Sequence, residues 1–381
     1  MPARNEEANL ERCLRSLVEQ RGIPFELLAV DDGSTDRTPE IIEKFAGVRE
    51  CPFVGVNADL ASVTAIQARP VEQGWTGKAN AVWQAAQTTR GEWLLFTDAD
   101  TAHEPGSLAR AAAEAEQYGA MMLSYSPRQE LRSLGERLVM PLVFAELASR
   151  FRPKEVRDPR SPVAAANGQY LLIKRDVYFA LGGHKAVAGE LLEDVALAKR
   201  LKQSGAKIRF RFGGEQVRTR MYRSWGQLVE GWTKNLVLLF PDARTLAWER
   251  MSEFVVVVFA CLVALVGLAG DSALLAWSGA IVFLASLGGF MLRVRRSHSG
   301  LGNEVAAIVG LPVFAWLLLR SAHAHDRGAV TWKGRVYSAA ESKGSVGASQ
   351  LTDETTRGKR ESPPTAALPS QENNGLSDPK V

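Results

Sequence analysis

The 381-residue chain predicts an α/β domain built on a mostly parallel sheet, followed by C-terminal transmembrane helices. Three observations carry this expectation. Buried-strand runs alternate with helical patterns over roughly the first 240 residues, the pattern of a parallel sheet with helices on both faces. Acidic clusters follow directly on two of those runs, at the strand ends where such sheets hold their ligands. Two apolar stretches without charge, 254–270 and 272–292, are separated by Asp271 alone.

Taken in order, Leu10, Leu14, Leu17 and Val18 recur at helical spacing and predict a helix over 8–20. "FELLAV" (25–30) reads as a buried strand running into "DDGSTD", after which Thr38 and Pro39 resemble an N-cap and first helical position. A weaker strand and turn continue to Pro70, and "GWTGKANAVWQAAQ" passes from loop to helix near Ala79. "EWLLF" (92–96) is a second buried strand and delivers "TDAD"; an Ala-rich helix (105–118) and the strand "AMMLSYS" follow. At ~1.5 Å per residue the two charge-free stretches are about 25 and 30 Å long, enough for a hydrocarbon core of ~30 Å with modest thinning. A third apolar run, 305–319, is shorter and holds Gly310, Pro312 and Trp316. Basic residues follow both the second and the third run, so the positive-inside tendency favours a re-entrant third segment. Residues 137–151 and 228–240 combine apolar runs with cations and Trp232, as interfacial helices do. The division expected is a domain over 1–240, a membrane region over 251–320, and a disordered tail over 338–381, where composition turns to Ser, Gly, Pro, Thr, Glu and Asn.

Composition excludes several classes. A net charge of +4 on scattered basic residues argues against nucleic acid and suits a membrane-proximal protein. The three cysteines have no CxxC spacing, and the five histidines form no HExxH, so neither a disulfide framework nor a zinc site is implied.

The chemistry-bearing residues are each ambiguous alone. Asp31, Asp32 and Asp36 suit a ligand site or simply an Asx-rich turn. Asp98 and Asp100 flank one residue at a strand end, well placed for Mg²⁺ or Mn²⁺ sharing its shell with phosphate oxygens. Lys78 lies in a Gly-containing loop at a helix start, a common phosphate environment, though a solvated lysine also fits. Glu190, Glu193 and Asp194 open a helix, where acids also serve the helix dipole.

Their order is more telling. PxxNEE, DDGSTD, GWxGK, DxD, NGQ (167–169), ED and RxxRxW (Arg220, Arg223, Trp225) form a series that resembles family-2 glycosyltransferases of the Rossmann-like GT-A fold over roughly residues 2–240. "GGH" (182–184), "RMYRSWGQLVEGWTKN" and "TWKGRVY" (331–337) resemble the membrane-bound, lipid-acceptor branch, nearest to hopanoid-associated and carotenoid glycosyltransferases, with ceramide glucosyltransferase more distant. The resemblance implies roles. Asp31 and Asp32 hold the base and ribose of a nucleotide sugar; Asp98 and Asp100 bind a divalent cation and the diphosphate; Asp194 is the general base. Asn5, Glu7, Lys78, Asn167, Gln169, Glu193, Arg220, Arg223 and Trp225 complete the expected substrate site. Ser224 stands between Arg223 and Trp225 where the family has RW, which weakens any likeness to processive polysaccharide synthases.

The implied activity is inverting, metal-dependent transfer of a sugar from a UDP-sugar or similar donor to a membrane lipid hydroxyl of hopanoid, carotenoid or glycolipid type. The catalytic domain is expected on the cytoplasmic face of a multi-pass inner-membrane protein. The alternatives are a polyprenyl-phosphate sugar transferase, whose acceptor needs no base, and a truncated non-catalytic homologue. In the GT-A fold a central strand precedes PxxNEE, and here Met1 precedes it instead. The expectation is that this strand is missing, that Met1 is the last strand residue of a longer protein, and that a transmembrane helix lies upstream.

Overall fold

In the computed structural model, described for residues 1–47, 50–51, 55–56, 59–328 and 330–337, strands and helices alternate through the first half of the chain. The elements are β1 (Pro2–Ala3), α1 (Leu10–Val18), β2 (Phe25–Asp31), α2 (Thr38–Phe45), β3 (Glu50–Cys51), β4 (Gly55–Val56), β5 (Leu60–Gln67), α3 (Gly77–Thr88), β6 (Trp93–Phe96) and β7 (Thr101–His103). They continue with α4 (Ser107–Gln117), β8 (Met122–Ser126), β9 (Arg128–Gln129), α5 (Leu134–Arg150), α6 (Pro153–Arg157), β10 (Leu171–Lys174), α7 (Arg175–Ala180) and α8 (Glu193–Gln203). After β11 (Ile208–Phe212) and β12 (Val217–Thr219) come α9 (Trp225–Leu239), α10 (Ala243–Ala269), α11 (Ala273–Val294), α12 (Leu301–Asp326), β13 (Val330–Trp332) and β14 (Arg335–Tyr337). The reading of 338–381 as a disordered tail falls outside the described residues.

Two sheets carry the ligand-facing loops. The first, ordered β1-β2-β5, is wholly parallel, with Ala3 opposite Asp31 and Asp31 opposite Gln67. In the second, ordered β11-β8-β10-β6, β11 runs parallel to β8 while β10 is antiparallel to both neighbours. Pro2 shares a small cavity with Phe96, Thr97 and Asp98, so the carboxyl ends of β1 and β6 meet where the two sheets adjoin. Hydrophobic patterning explains this placement: Leu27 to Val30 of β2 are buried in an uninterrupted run, as strands covered on both faces require. The position expected for a central strand is held by the two residues of β1. Val30 N–H donates to Met1 O and Asp32 N–H to Ala3 O, both at 2.9 Å. The Met1 ammonium is buried against Leu28 O at 2.9 Å, and burial lowers its pKa to about 6.

Helices α10, α11 and α12 are each long and apolar enough to cross a membrane. Their bounds exceed the apolar runs in the sequence, because charged side chains at their ends are paired rather than helix-breaking. Arg250 and Arg293 both reach Glu146 and Glu253, at 3.5 and 2.8 Å for Arg250 and 3.4 and 2.6 Å for Arg293. This network ties α5, α10 and α11 together where the apolar stretch begins. The third segment, read from the sequence as 305–319, is one continuous helix of 26 residues, longer than the apolar run itself. Pro312 is accommodated within it.

Helices α5 and α9, expected as interfacial, each bury part of their surface inside the protein. Trp232 is 2 % exposed, with Nε1 donating to Met140 Sδ at 3.4 Å, so it does not anchor to a headgroup layer. Packing against α12 covers them, and Gly310 makes that crossing possible: a Cβ there would lie 2.0 Å from Leu138 O. Gly310→Ala therefore forces the helices apart and is expected to cost about 1–3 kcal/mol. Thermal unfolding of the detergent-solubilised protein should show a lowered midpoint for this variant. Gly288→Ala, where no atom lies within 4 Å, should leave it unchanged or raise it.

Candidate active site

Two loops form the first wall. The chain leaves β1 through Asn5, whose φ of +52° is a left-handed conformation that asparagine tolerates better than most side chains. That turn aims Asn5 at the loop after β2. Asn5 N–H donates to Ser34 Oγ at 3.1 Å, and Thr35 N–H donates to Asn5 Oδ1 at 2.9 Å. Glu7 continues the zipper, its N–H donating to Asp36 Oδ2 at 3.0 Å and its carboxylate accepting from Arg37 N–H at 3.2 Å. Asp31 closes its own turn by accepting from Ser34 N–H at 3.1 Å. Glu7 and Asp31 thus hold the loops in shape, while Asn5 and Asp32 face a large cavity.

The second wall is acidic. Thr76 caps α3, accepting from Ala79 N–H at 3.3 Å, and this presents Lys78 from the first turn. Lys78 Nζ lies 2.8 Å from Asp98 Oδ1 and 2.8 Å from Glu193 Oε1. Burial opposes its charge, yet Asp98, Glu193 and Asp194 together hold its pKa well above the ordinary value. The Asp98–Asp100 turn rests on a buried hydroxyl network in which Thr101 Oγ1 donates to Asp98 O at 2.8 Å and Thr97 Oγ1 to Gln169 O at 2.8 Å. His103 joins this network and is kept neutral, since burial pushes its pKa down to about 3. Gln169 Nε2 donates to both oxygens of Asp100 at 3.4 Å and to Thr219 Oγ1 at 3.1 Å. Asn167 supports that reach by accepting from Gln169 N–H at 3.0 Å.

Asp194 stands across from this pair at the start of α8. Gly168 N–H donates to its Oδ2 at 2.7 Å. Burial, then the adjacent Glu193, raises its pKa to about 6 despite Lys78. Burial and Asp98 likewise raise that of Asp100. Two repelling carboxylates on one turn fit a hard divalent cation that completes its shell with phosphate oxygens and water. Among the described residues no group of three or more His, Cys, Asp or Glu could hold a metal alone, so the ligand would have to share it.

The cavity has a volume of about 1100 Å³ and two contrasting ends. One is the polar wall just described. The other is apolar, lined by Phe144, Leu147, Phe151, Phe210, Phe212 and Leu239, and rimmed by Arg295, Arg296 and His298 at the foot of α11. The fold thus brings Asn5, Asp32, Lys78, Asp98, Asp100, Asn167, Gln169, Glu193, Asp194 and Arg223 to one space. Arg220 and Trp225 do not line it. Arg220 Nε donates to Glu136 Oε1 at 3.2 Å and tethers the N-terminus of α5. Trp225 is 49 % exposed and stacks on Trp316 with ring centroids 6.4 Å apart. Arg223, though in the cavity wall, is engaged with Asn9 Oδ1 at 2.8 Å and Ala8 O at 2.6 Å.

Several cations in the wall were not anticipated as site residues, Lys234, Lys333 and Arg335 among them. Lys234 of α9 faces the acids, and burial lowers its pKa while Glu193 opposes. Lys333 and Arg335 arrive from the terminal hairpin. The stretch "TWKGRVY" marked the hairpin's existence, but its partners lie some 300 residues away and no local signal identifies them.

Carboxylates at the carboxyl ends of β2 and β6, set opposite a cation at a helix N-terminus, match the class of α/β domains that hold phosphorylated ligands at the carboxyl edge of the sheet. Known families take the assignment further. Residues 1–179 match the model of glycosyl transferase family 2. Among curated proteins, the chain is 27 % identical over 249 residues to a 4,4'-diaponeurosporenoate glycosyltransferase of Staphylococcus haemolyticus, covering 62 % of this chain and 60 % of the relative. The protein of the same name from Staphylococcus aureus is 26 % identical over 243 residues, covering 62 % and 59 %. The chain therefore spans about three fifths of the curated relatives it matches. Among solved structures, the mannosyltransferase PcManGT of Pyrobaculum calidifontis, in complex with GDP-Man and Mn²⁺, is 17 % identical with a TM-score of 0.44, covering 85 % of this chain and 84 % of that one. Staphylococcus aureus TarS 1–349 in complex with UDP is 20 % identical with a TM-score of 0.40, covering 61 % and 62 %.

Proposed function

We propose that the protein transfers a sugar from a nucleotide-sugar donor, of UDP type, to an apolar membrane lipid, with inversion at the anomeric carbon. The observation that carries this reading is the single cavity joining the Asp98–Asp100 pair and Asp194 to an apolar end at the foot of α11. A soluble acceptor needs no such apolar end. In this reading Asp32 and Asn5 face the nucleoside, and Lys78 and Lys234 offset charge on the departing diphosphate. Asp98 and Asp100 would hold a divalent cation whose contribution is to neutralise that same charge. Asp194 takes the proton of a lipid hydroxyl as it attacks, in one in-line displacement. The relatives named for 4,4'-diaponeurosporenoate favour a carotenoid-type acceptor over the hopanoid and glycolipid types.

Helices α10 and α11 and the Arg293 to Arg296 cluster support a multi-pass protein of the inner membrane with its catalytic domain on the cytoplasmic side, and α12, whose following hairpin meets Asp32, would begin and end on that same side. The domain would occupy 1–240, the membrane region 251–320. Membranes from an expressing strain, incubated with labelled UDP-sugars, should yield a lipid product heavier by one sugar residue in mass analysis. Absence of sugar transfer to any extracted lipid would overturn the reading and favour a non-catalytic homologue.

A second reading has one specific support. The cationic rim at Arg295 and Arg296 suits an acceptor that is itself an anion, a polyprenyl phosphate or a carboxylate, and an anion needs no general base. Removing divalent cations with a chelator is expected to reduce turnover by about 100-fold or more in either case, with recovery on adding Mn²⁺ or Mg²⁺. Turnover indifferent to chelation would remove the cation from the mechanism.

A further inference from the structure

Beyond α12 the chain continues into a hairpin whose tip lines the cavity. Trp332 pairs with Arg335 across the tip, and the two residues between them, Lys333 and Gly334, have φ of +45° and +75°. Both values are positive, which makes this a type I′ turn, a turn that favours Asn or Gly at its first central position. Lysine there is a strained choice, and such outliers persist where surrounding contacts over-determine them. Those contacts are present. Lys333 Nζ donates to Arg4 O at 3.0 Å and to the Glu6 carboxylate, while Arg4 Nε donates back to Lys333 O at 3.5 Å. Arg335 forks onto Asp32, its Nη1 2.6 Å from Oδ2 and its Nη2 3.0 Å from Oδ1. The guanidinium lies over the start of α3 so closely that a Cβ on Gly77 would fall 1.4 Å from Nη1. Lys333 is also near enough to the acidic turn that its charge counters the burial of Asp100.

We propose that the Trp332–Arg335 turn is a wall of the donor site, in which Lys333 is a ligand of the nucleoside diphosphate and Arg335 is the positioning residue of Asp32. The proposal rests on the reading of the cavity as a nucleotide-sugar site. Geometry separates the two roles. Arg335 gives both forked donors to one carboxylate, which fixes the rotamer of Asp32 and leaves a flat guanidinium face beside the nucleoside. Lys333 is a compact charge between Glu6 and Asp100, and an arriving diphosphate would offer it a stronger partner than Glu6. The hairpin follows α12 directly, so donor binding in this arrangement requires that the membrane helices and the N-terminal sheet be docked together.

The test is titration of the full detergent-solubilised chain with UDP in the presence of Mn²⁺, with donor KM and kcat measured on the same samples. Lys333→Asn suits the left-handed turn and removes the charge; it is expected to weaken UDP binding about ten-fold or more with an unchanged unfolding temperature. Lys333→Arg should restore most of the affinity. Gly77→Ala changes no charge but displaces Arg335 together with the Asp32 carboxylate, 2.4 Å from the added Cβ, and should raise donor KM several-fold with kcat nearly intact; Arg335→Lys, which leaves that space open, should do the same. Wild-type binding of UDP together with undiminished binding by Lys333→Asn and Gly77→Ala would overturn this inference while leaving the function intact. Tighter binding in those variants would also overturn it, since the hairpin would then be a plug rather than a wall. Failure of the wild type to bind any nucleoside diphosphate would overturn the donor reading itself, and the inference with it.

Discussion

Asp194→Asn is expected to lower turnover by about 10²–10⁴-fold while nucleotide binding stays within a few-fold of wild type. The substitution preserves shape and one acceptor oxygen, which keeps Gly168 N–H, 2.7 Å from Oδ2, anchored at the cost of the local bond from Val195 N–H to Oδ1. What is lost is the ability to take a proton. The pH profile sharpens the test. Burial and then Glu193 place the pKa of Asp194 at about 6, and the base acts only when ionised. The wild-type rate should therefore rise with pH through about 6 and level off above it. The residual activity of Asp194→Asn should lack that limb. An acid role would invert the sign, with the rate falling as pH passes 6. Turnover of Asp194→Asn equal to wild type would sink the hydroxyl-acceptor mechanism and favour an acceptor that is already an anion.

The second large effect concerns the acidic turn, where activity and stability are expected to part. Asp98→Asn and Asp100→Asn should each reduce turnover by about 100-fold or more and weaken Mn²⁺-dependent donor binding. Their effects on folding differ because their surroundings differ. Asp98 carries a direct ion pair to Lys78 at 2.8 Å, and its loss leaves that half-buried cation paired with Glu193 alone. A lower unfolding temperature follows. Asp100 has no cationic partner within ion-pair distance among the described residues; burial and Asp98 both disfavour its charge. Neutralising it relieves repulsion, so Asp100→Asn should unfold at the same temperature as wild type or higher in the absence of metal. Thermal melts with and without Mn²⁺ read this directly. An equal loss of stability in both variants would show that Asp100 is held by contacts other than those described.

Much of the site was legible because its logic is local. A buried run followed at once by acidic residues delivers them to a strand end, and this places Asp32, Asp98 and Asp100 in the cavity wall, while Asp31 closes its own turn. Lys78 and Asp194 follow from helix starts in the same way. The apolar helices are equally local, since composition over about twenty residues decides them. Legibility fails where a side chain chooses between distant partners. Arg220 has the spacing of a substrate-binding arginine, yet Glu136 of a capping box lies nearer, and the pair spends Arg220 on positioning α5. Trp225, displaced by the intervening Ser224, turns outward onto Trp316. Trp232 has the composition of an interface anchor, but α12 covers the surface it would occupy.

By itself, then, the sequence determined the α/β class, the acids at the strand ends, the apolar helices that follow, and the likeness of residues 1–179 to glycosyl transferase family 2. These depend on periodicity and on neighbours within a few positions. Only the tertiary structure decided that β10 runs antiparallel between its neighbours, that Arg220 and Trp225 stand outside the cavity, and that Arg335 meets Asp32 across 303 positions of chain. The physical reason is the same in each case. A charge or a strand edge is satisfied by whichever partner the folded chain brings within about 3 Å, and that distance is set by packing rather than by spacing in the sequence.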